Sequence, residues 1–211
     1  MTCFNTIAEG VIKGNEKLVR QNVQELIDEG SNPLEIINQG LMAGMNVVGA
    51  RFKKGDMFVP EVMMAARAMN SGISLVKPLI NDGDMPSVGK VVIGTVKEDL
   101  HDIGKNLVAM MVESAGFNVI NIGIDISPEK FAEAIKEHKP DILGMSAMLT
   151  TTMMQMKQTI EYLKNEGLRD KVKIIIGGAP VTQQFAEEIG ADGYSVDASS
   201  AAELCKKLLC A

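Results

Sequence analysis

The first eighty residues carry a helical rhythm and no convincing strand. Val19, Val23, Leu26 and Ile27 form one stripe, the spacing of a helix with a single buried face. Gly30 closes that stretch, and Ser31-Asn32-Pro33 supplies cap residues followed by a proline in the first turn of the next helix. Ile37, Leu41, Met45, Val48 and Phe52 recur at spacings of four, four, three and four, which predicts a helix over residues 33–52. After a turn at Lys53-Lys54-Gly55-Asp56, Pro60 opens another helix, whose face is Val62, Ala66, Met69, Ile73 and Val76. With a short helix over residues 3–13, the pattern predicts a four-helix bundle.

Residues 81–87, Asn-Asp-Gly-Asp-Met-Pro-Ser, are polar and non-periodic and read as a linker. Beyond it the rhythm changes. Lys90–Val96 is a short, continuous apolar run of the kind a buried parallel strand shows, and similar runs recur at Asn118–Ile122, Ile142–Ser146, Lys173–Ile176 and Gly193–Val196. Helical stretches lie between them. One has Ile103, Leu107, Met110, Met111 and Ser114 on one face; another is announced by Ser127-Pro128-Glu129; a third carries Met153, Met156, Ile160 and Leu163. Five strands alternating with helices predict an α/β domain over residues 89–211, a doubly wound five-stranded parallel sheet of Rossmann or flavodoxin-like type, after a helical domain with linker over residues 1–88. In such sheets ligands sit outside the carboxyl ends of the strands, near the point where the strand order reverses.

Composition narrows the chemistry. A net charge of −6 argues against a nucleic-acid binder held by a basic face. No run of about 18 apolar residues and no basic-then-apolar leader is visible, so a cytoplasmic protein is expected. The 211 residues are too few for a (β/α)₈ barrel, which takes roughly 200–250 by itself, plus a second domain, so barrel chemistry would have to come from a partner. Zero Trp, two Tyr and fifteen Met make an aliphatic, polarisable interior with few surfaces on which to stack a base. Cys3, Cys205 and Cys210 contain no C-x-x-C and read as reduced, incidental thiols.

The expected carboxyl edge holds the chemistry-bearing residues. After the first strand comes Glu98-Asp99-Leu100-His101-Asp102-Ile103-Gly104, with His101 flanked by carboxylates. A carboxylate bonded to one imidazole nitrogen fixes the tautomer and makes the other nitrogen a better metal ligand. One histidine cannot assemble a protein-only metal site. It can supply an axial ligand to a metal already held by a macrocycle, or it can simply cap the following helix. Ser146, Thr150, Thr151 and Thr152 follow the third strand, either as hydrogen-bonding groups for a polar ligand or as helix caps. Gly177-Gly178 follows the fourth, where a bulky ligand or a tight turn needs close approach to the backbone. No G-x-G-x-x-G follows the first strand, so a dinucleotide fingerprint is absent. His138, at a helix end before Pro140, reads as solvated surface.

In this order, Asp99-x-His101-x-x-Gly104, Ser146-x-Met148 and Gly177-Gly178 resemble the D-x-H-x-x-G, S-x-L and G-G pattern of the cobalamin-binding domain of methionine synthase and its relatives. Thr95–Asn106 is similar to the methyltransferase branch rather than the mutases. Gly44-Met45, Val48-Gly49, Phe52, Gly55, Phe58 and Pro60-Glu61-Val62 are similar to the helical cap domain of that branch, so the resemblance covers nearly the whole chain. The architecture resembles the stand-alone corrinoid proteins of anaerobic methyltransferase systems acting on methylamines, methanol, betaines or aryl methyl ethers. Two positions depart from the pattern. Met148 stands where Leu is usual, and Glu98 stands where Gly is common, at a cost of about 1–2 kcal/mol if the loop needs a positive φ there.

The resemblance implies a cobalamin or related corrinoid with His101 as lower axial ligand to cobalt, Asp99 on the other ring nitrogen, and Thr152 completing a ligand triad. It implies further cofactor contacts from Asp102, Ile103, Gly104, Ser146, Met148, Thr150, Gly177 and Gly178, those at Ser146, Thr150 and the glycine pair lining a groove for the nucleotide tail. The implied function is one-carbon transfer: cobalt(I) accepts a methyl group from a substrate:corrinoid methyltransferase, expected to be a barrel enzyme. Methyl-cobalt(III) then donates it to an acceptor methyltransferase using tetrahydrofolate or a thiol, and a reductive activase is a third implied partner. No nucleic acid or membrane is implied. The helical domain would cover the methyl-bearing face, with Met45, Met63, Met64 and Met69 as candidates for an apolar lid, although Met at helical spacing is more often core. A cobalamin sensor would need an output domain such as a basic helix-turn-helix. A mutase carrier subunit would need a radical-generating barrel.

Overall fold

The computed structural model describes residues 3–80 and 87–209. It divides into two compact units, Met1–Ser87 with Ser114–Gly116, and Val88–Glu113 with Phe117–Ala211. The expected linker at 81–87 lies outside the described residues except for Ser87, and Cys210 lies outside them as well.

In the helical unit, α1 (Cys3–Ile12) leads to α2 (Glu16–Asp28), whose N-cap Asn15 accepts the Leu18 amide at 3.0 Å. Gly30, at φ +77°, follows the end of α2. Asn32 accepts the Leu34 amide at 2.9 Å and caps α3 (Pro33–Glu35), which continues through a π-helical stretch, Ile36–Met42, into α4 (Ala43–Lys54). The backbone stays right-handed helical across both joins, so the single helix expected over 33–52 is one rod with a π-helical middle. Lys53 and Lys54 belong to that rod rather than to a turn, which begins at the left-handed Gly55. The last long helix, α5 (Val59–Val76), starts where Glu61 accepts the Phe58 amide at 2.8 Å.

The periodic positions Val19, Val23, Leu26, Ile37, Leu41, Met45, Val48, Val62, Ala66, Met69 and Val76 are buried, while Ile73 is half-buried. Met45 and Met69 are therefore core and not lid. Met63 and Met64 fall off the Val62–Ala66–Met69 stripe and are exposed. Glycine permits a close approach of α1 and α4: a Cβ on Gly44 would sit 2.7 Å from the Ala8 carbonyl oxygen. Because that neighbour is backbone, Gly44→Ala is expected to destabilise the bundle by about 1–3 kcal/mol through overpacking. Thermal unfolding reads this directly, and a parental midpoint would show that α1 yields at no cost.

The second unit is a parallel sheet of β1 (Lys90–Thr95), β2 (Asn118–Asn121), β3 (Ile142–Ser146), β4 (Lys173–Gly177) and β5 (Gly193–Tyr194), in the order β2-β1-β3-β4-β5. Helices α6 (Ile103–Ser114), α7 (Pro128–His138), α8 (Met154–Asn165) and α9 (Gln183–Ile189) connect the strands, and α10 (Ala198–Leu209) follows β5. Ser127 caps α7, as its Ser-Pro-Glu start predicts. The strand order reverses between β1 and β3, which makes their carboxyl ends the ligand edge of this fold. Val92, Leu143, Met145, Ile174 and Ile176 pack with Phe131, Ile135, Met156, Ile160, Leu163 and Phe185 in the main core. By strand alternation, Thr95, Ser146 and Gly177 lie on the opposite face, in register with one another as a row of small residues at the carboxyl end.

Two expectations change here. Val196 lies beyond β5, which is only two residues long. Ile103 is not on the buried face of α6: it is 82% exposed, whereas Met111 and Ser114 are buried. Cys3 and Cys205 are free, and burial pushes the Cys205 thiol up to about 12, consistent with an inert structural cysteine. Among the described residues no helix is long and apolar enough to cross a membrane.

Candidate functional site

The loop after β1 is fixed from both sides. Val96 bridges to Ile126 and donates to the Ser146 carbonyl at 3.0 Å. Glu98 adopts φ +67°, the left-handed conformation whose cost for a non-glycine residue is on the order of 1–2 kcal/mol. Its amide donates to Asp125 Oδ1 at 2.7 Å. This turn directs Asp99 inward, where it is fully buried.

Asp99 organises the site. Oδ1 accepts the His101 amide at 3.0 Å and pairs with His101 Nδ1 at 2.8 Å; Oδ2 accepts the Met148 amide at 2.7 Å and the Thr152 hydroxyl at 2.6 Å. Burial works against the charged carboxylate. The Thr152 hydroxyl, the Met148 and His101 amides and the His101 ring outweigh it and hold the carboxyl down to about 2. An ionised Asp99 at neutral pH accepts a hydrogen from Nδ1, so the other ring nitrogen, Nε2, keeps its lone pair available as a ligand. The His101 side chain is 55% exposed. Its ring is bonded to Asp99 rather than capping α6, and Thr152 serves Asp99 rather than a polar ligand or a helix end. Among the described residues no three His, Cys, Asp or Glu side chains converge on a metal position, so His101 stands as a single donor.

The surroundings of His101 are apolar and open. Leu100 in the same loop, Ile103 at the start of α6, Ile124 after β2, Met148 and Leu149 after β3, and Val196 after β5 are all exposed beyond the carboxyl ends of the strands. Gly104 has no positive φ, and a Cβ added to it meets nothing within 4 Å. Nothing in the chain itself therefore demands glycine there; the open space suits a flat ligand lying against the loop. An apolar platform, a cradle at Gly104 and one imidazole nitrogen together fit a metal macrocycle that takes a single protein ligand.

The other expected residues divide. Ser146 is half-buried and in register with Gly177, and Thr150 is exposed. Gly178, at φ +131°, is required by packing, since its Cβ would lie 1.8 Å from the Ala147 carbonyl oxygen. Asp102 accepts Asn106 Nδ2 at 2.8 Å. Sequence reasoning missed Leu100, Leu149, Ile124 and Val196, although apolar residues outside any periodic segment were the available signal. It also missed Lys105, which is buried and donates to Asn106 and Asn121 at 2.7 Å each. Burial lowers the pKa of its ammonium, opposed by Asp102.

Known proteins show the same two parts. Residues 89–203 match the B12 binding domain family, and residues 3–77 match a second family also described as a B12 binding domain. The chain is 47% identical over 204 residues to the dimethylamine corrinoid protein of Methanosarcina barkeri, covering 96% of this chain and 95% of that one. It is 43% identical over 212 residues to a corrinoid protein of Desulfitobacterium hafniense strain Y51, covering 99% and 98%. A chain of the methanol:cobalamin methyltransferase complex MtaBC of Methanosarcina barkeri matches with a TM-score of 0.88 at 33% identity, covering 99% of this chain and 80% of that one. With its ligand edge, the carboxylate-bound His101 and both domain matches, the chain belongs to the family of B12-binding corrinoid proteins.

Proposed function

We propose that this chain is a cytoplasmic corrinoid methyl carrier, taking a methyl group from a substrate:corrinoid methyltransferase and passing it to an acceptor methyltransferase that uses tetrahydrofolate or a thiol. The relative at 47% identity is named for dimethylamine, which supports a methylamine as the donor class presented by the first partner. That partner is read as a barrel enzyme, with a reductive activase as a third. The helical part, residues 1–88, serves as the cap domain and residues 89–211 as the cofactor domain, a division supported by the two family matches.

A bound corrinoid supplies a cobalt ion that accepts and releases the methyl group. The chain's residues supply its setting. His101 offers Nε2 to the metal, while Asp99 holds the hydrogen on Nδ1 and Thr152 and the Met148 amide hold Asp99. Held in this way, the ring would keep one orientation toward the corrinoid face, with its Nδ1 side fixed by the carboxylate. Leu100, Ile103, Met148 and Leu149 cover apolar surface and exclude water, and Gly104 leaves room for close approach. Ser146, Thr150 and the Gly177-Gly178 backbone would line the groove for the nucleotide tail, and Asp102, which accepts Asn106 Nδ2 at 2.8 Å, would be a further cofactor contact.

The observation that carries this reading is the commitment of His101 Nδ1 to a buried carboxylate, which leaves Nε2 as a ligand. Reconstitution with hydroxocobalamin, followed by an absorption spectrum, tests it. The parent protein is expected to retain the corrinoid. His101→Ala is expected to retain only part of it, with a changed spectrum of the methylated form. An unchanged spectrum in that variant sinks the ligand assignment, and failure of the parent to bind any corrinoid sinks the function.

A further inference from the structure

We infer that Asp125, in the loop after β2, is a positioning residue for the metal-ligand loop, holding Glu98 in its left-handed conformation so that Asp99 and His101 reach the site. The inference rests on the corrinoid reading for its purpose but not for its geometry. Asp125 grips the turn at two points. Its Oδ1 accepts the Glu98 amide at 2.7 Å, and its own amide donates to the Asp99 carbonyl at 3.2 Å. Asp125 is itself left-handed, at φ +54°, a conformation that aspartate tolerates better than most residues. Two of the three non-glycine residues with positive φ among those described are thus bonded directly to one another beside the site. Such strain persists where surrounding contacts over-determine it.

The consequence is directional. Glu98 has a Cβ and disfavours φ +67°, so left to itself the turn would relax. Relaxation at Glu98 rotates the Asp99 carbonyl and carboxylate together. The carboxylate is what joins the His101 ring to Met148 and Thr152, 49 and 53 residues farther along the chain from Asp99. Asp125 touches none of those groups with its side chain. It acts through Glu98, and a glycine at position 98 should make it dispensable.

The test is a double-mutant cycle of Asp125→Ala and Glu98→Gly, with Asp125→Asn as the conservative variant. Hydroxocobalamin affinity is measured by absorption titration, and amide hydrogen exchange at His101 and Met148 is measured on the cofactor-free protein. Loss of one solvent-accessible hydrogen bond of ordinary strength corresponds to weakening of binding by about threefold to tenfold in Asp125→Ala. The same variant should show faster exchange at both amides. Asp125→Asn keeps an acceptor oxygen and should stay near the parent. Adding Glu98→Gly to Asp125→Ala should restore both affinity and protection. A double variant no better than Asp125→Ala overturns the inference, as does unchanged exchange in Asp125→Ala. A parent protein that binds no corrinoid yet shows this exchange pattern overturns the corrinoid reading and leaves the clamp established.

Discussion

Replacing Asp99 with alanine is expected to cost the cofactor-free protein about 3 kcal/mol and to abolish ordered presentation of His101. The carboxylate accepts four hydrogen bonds; without it the Met148 amide loses its acceptor, and the buried Thr152 hydroxyl is left with only the Leu149 carbonyl at 3.1 Å. Each buried donor left unpaired costs about 1–3 kcal/mol, and the more exposed His101 groups can turn to water. For a unit of this size a loss of 3 kcal/mol lowers the thermal midpoint by roughly 10 °C. Asparagine is not a remedy. Every partner of the carboxylate is a donor, so the asparagine amide group would face N–H or O–H wherever it was placed.

The acid limb provides a second readout. Asp99 has its folded-state carboxyl lowered from 3.8 to about 2, so the stability it contributes is complete above the unfolded value and fades as pH falls between the two. The gap in unfolding free energy between the parent and Asp99→Ala should therefore narrow from pH 4 toward pH 2 in the cofactor-free protein. A constant gap over that range would assign the loss to packing rather than to an ionised carboxylate.

The alternation of strands and helices was legible from the chain because buried parallel strands are short apolar runs and helix starts carry local signals, as at Ser127 and Asn32. Those signals act over a few residues. Where they failed, the deciding contact is distant in sequence. Ile103 has helical spacing with Leu107 and Met111, and periodicity assigned it to the core; it is exposed at the sheet edge instead, a placement that the same pattern encodes equally well. Met45 and Met64 differ in burial only because one lies on the stripe of its helix and the other off it. The histidine, its flanking carboxylates and the threonine cluster were visible as residue types at one sheet edge. That Thr152 and Met148 both hold Asp99 required the β3–α8 loop to fold against the β1–α6 loop. The bond between Glu98 and Asp125 has no sequence signature at all, since both are residues that ordinarily read as solvated loop.

The glycine pair separates fold from ligand in the same way, and substitution at Gly178 is expected to be the most damaging single change in the α/β unit. Gly178→Ala places a Cβ in a position that is strained twice. The backbone is at φ +131°, and the Ala147 carbonyl oxygen is 1.8 Å away, a distance no rotamer can relieve. To make room, β3 and β4 must separate at their carboxyl ends, breaking the Ala147 amide's 3.2 Å bond to the Gly177 carbonyl. Met148 follows directly in the chain, so the shift carries its amide away from Asp99. Loss of this register is expected to exceed about 4 kcal/mol, the range of severe backbone strain and broken buried networks. Gly177→Ala provides the contrast. Its Cβ would meet the Ser195 carbonyl oxygen at 3.2 Å, which a shift of a few tenths of an ångström relieves, so the cofactor-free protein should stay folded. If Gly177 lines the groove for the nucleotide tail, that variant should unfold near the parental temperature and still bind hydroxocobalamin more weakly. Thermal unfolding and corrinoid titration of the two variants side by side decide the matter. Parental stability in Gly178→Ala would refute the close approach to Ala147, and parental affinity in Gly177→Ala would remove that glycine from the binding surface.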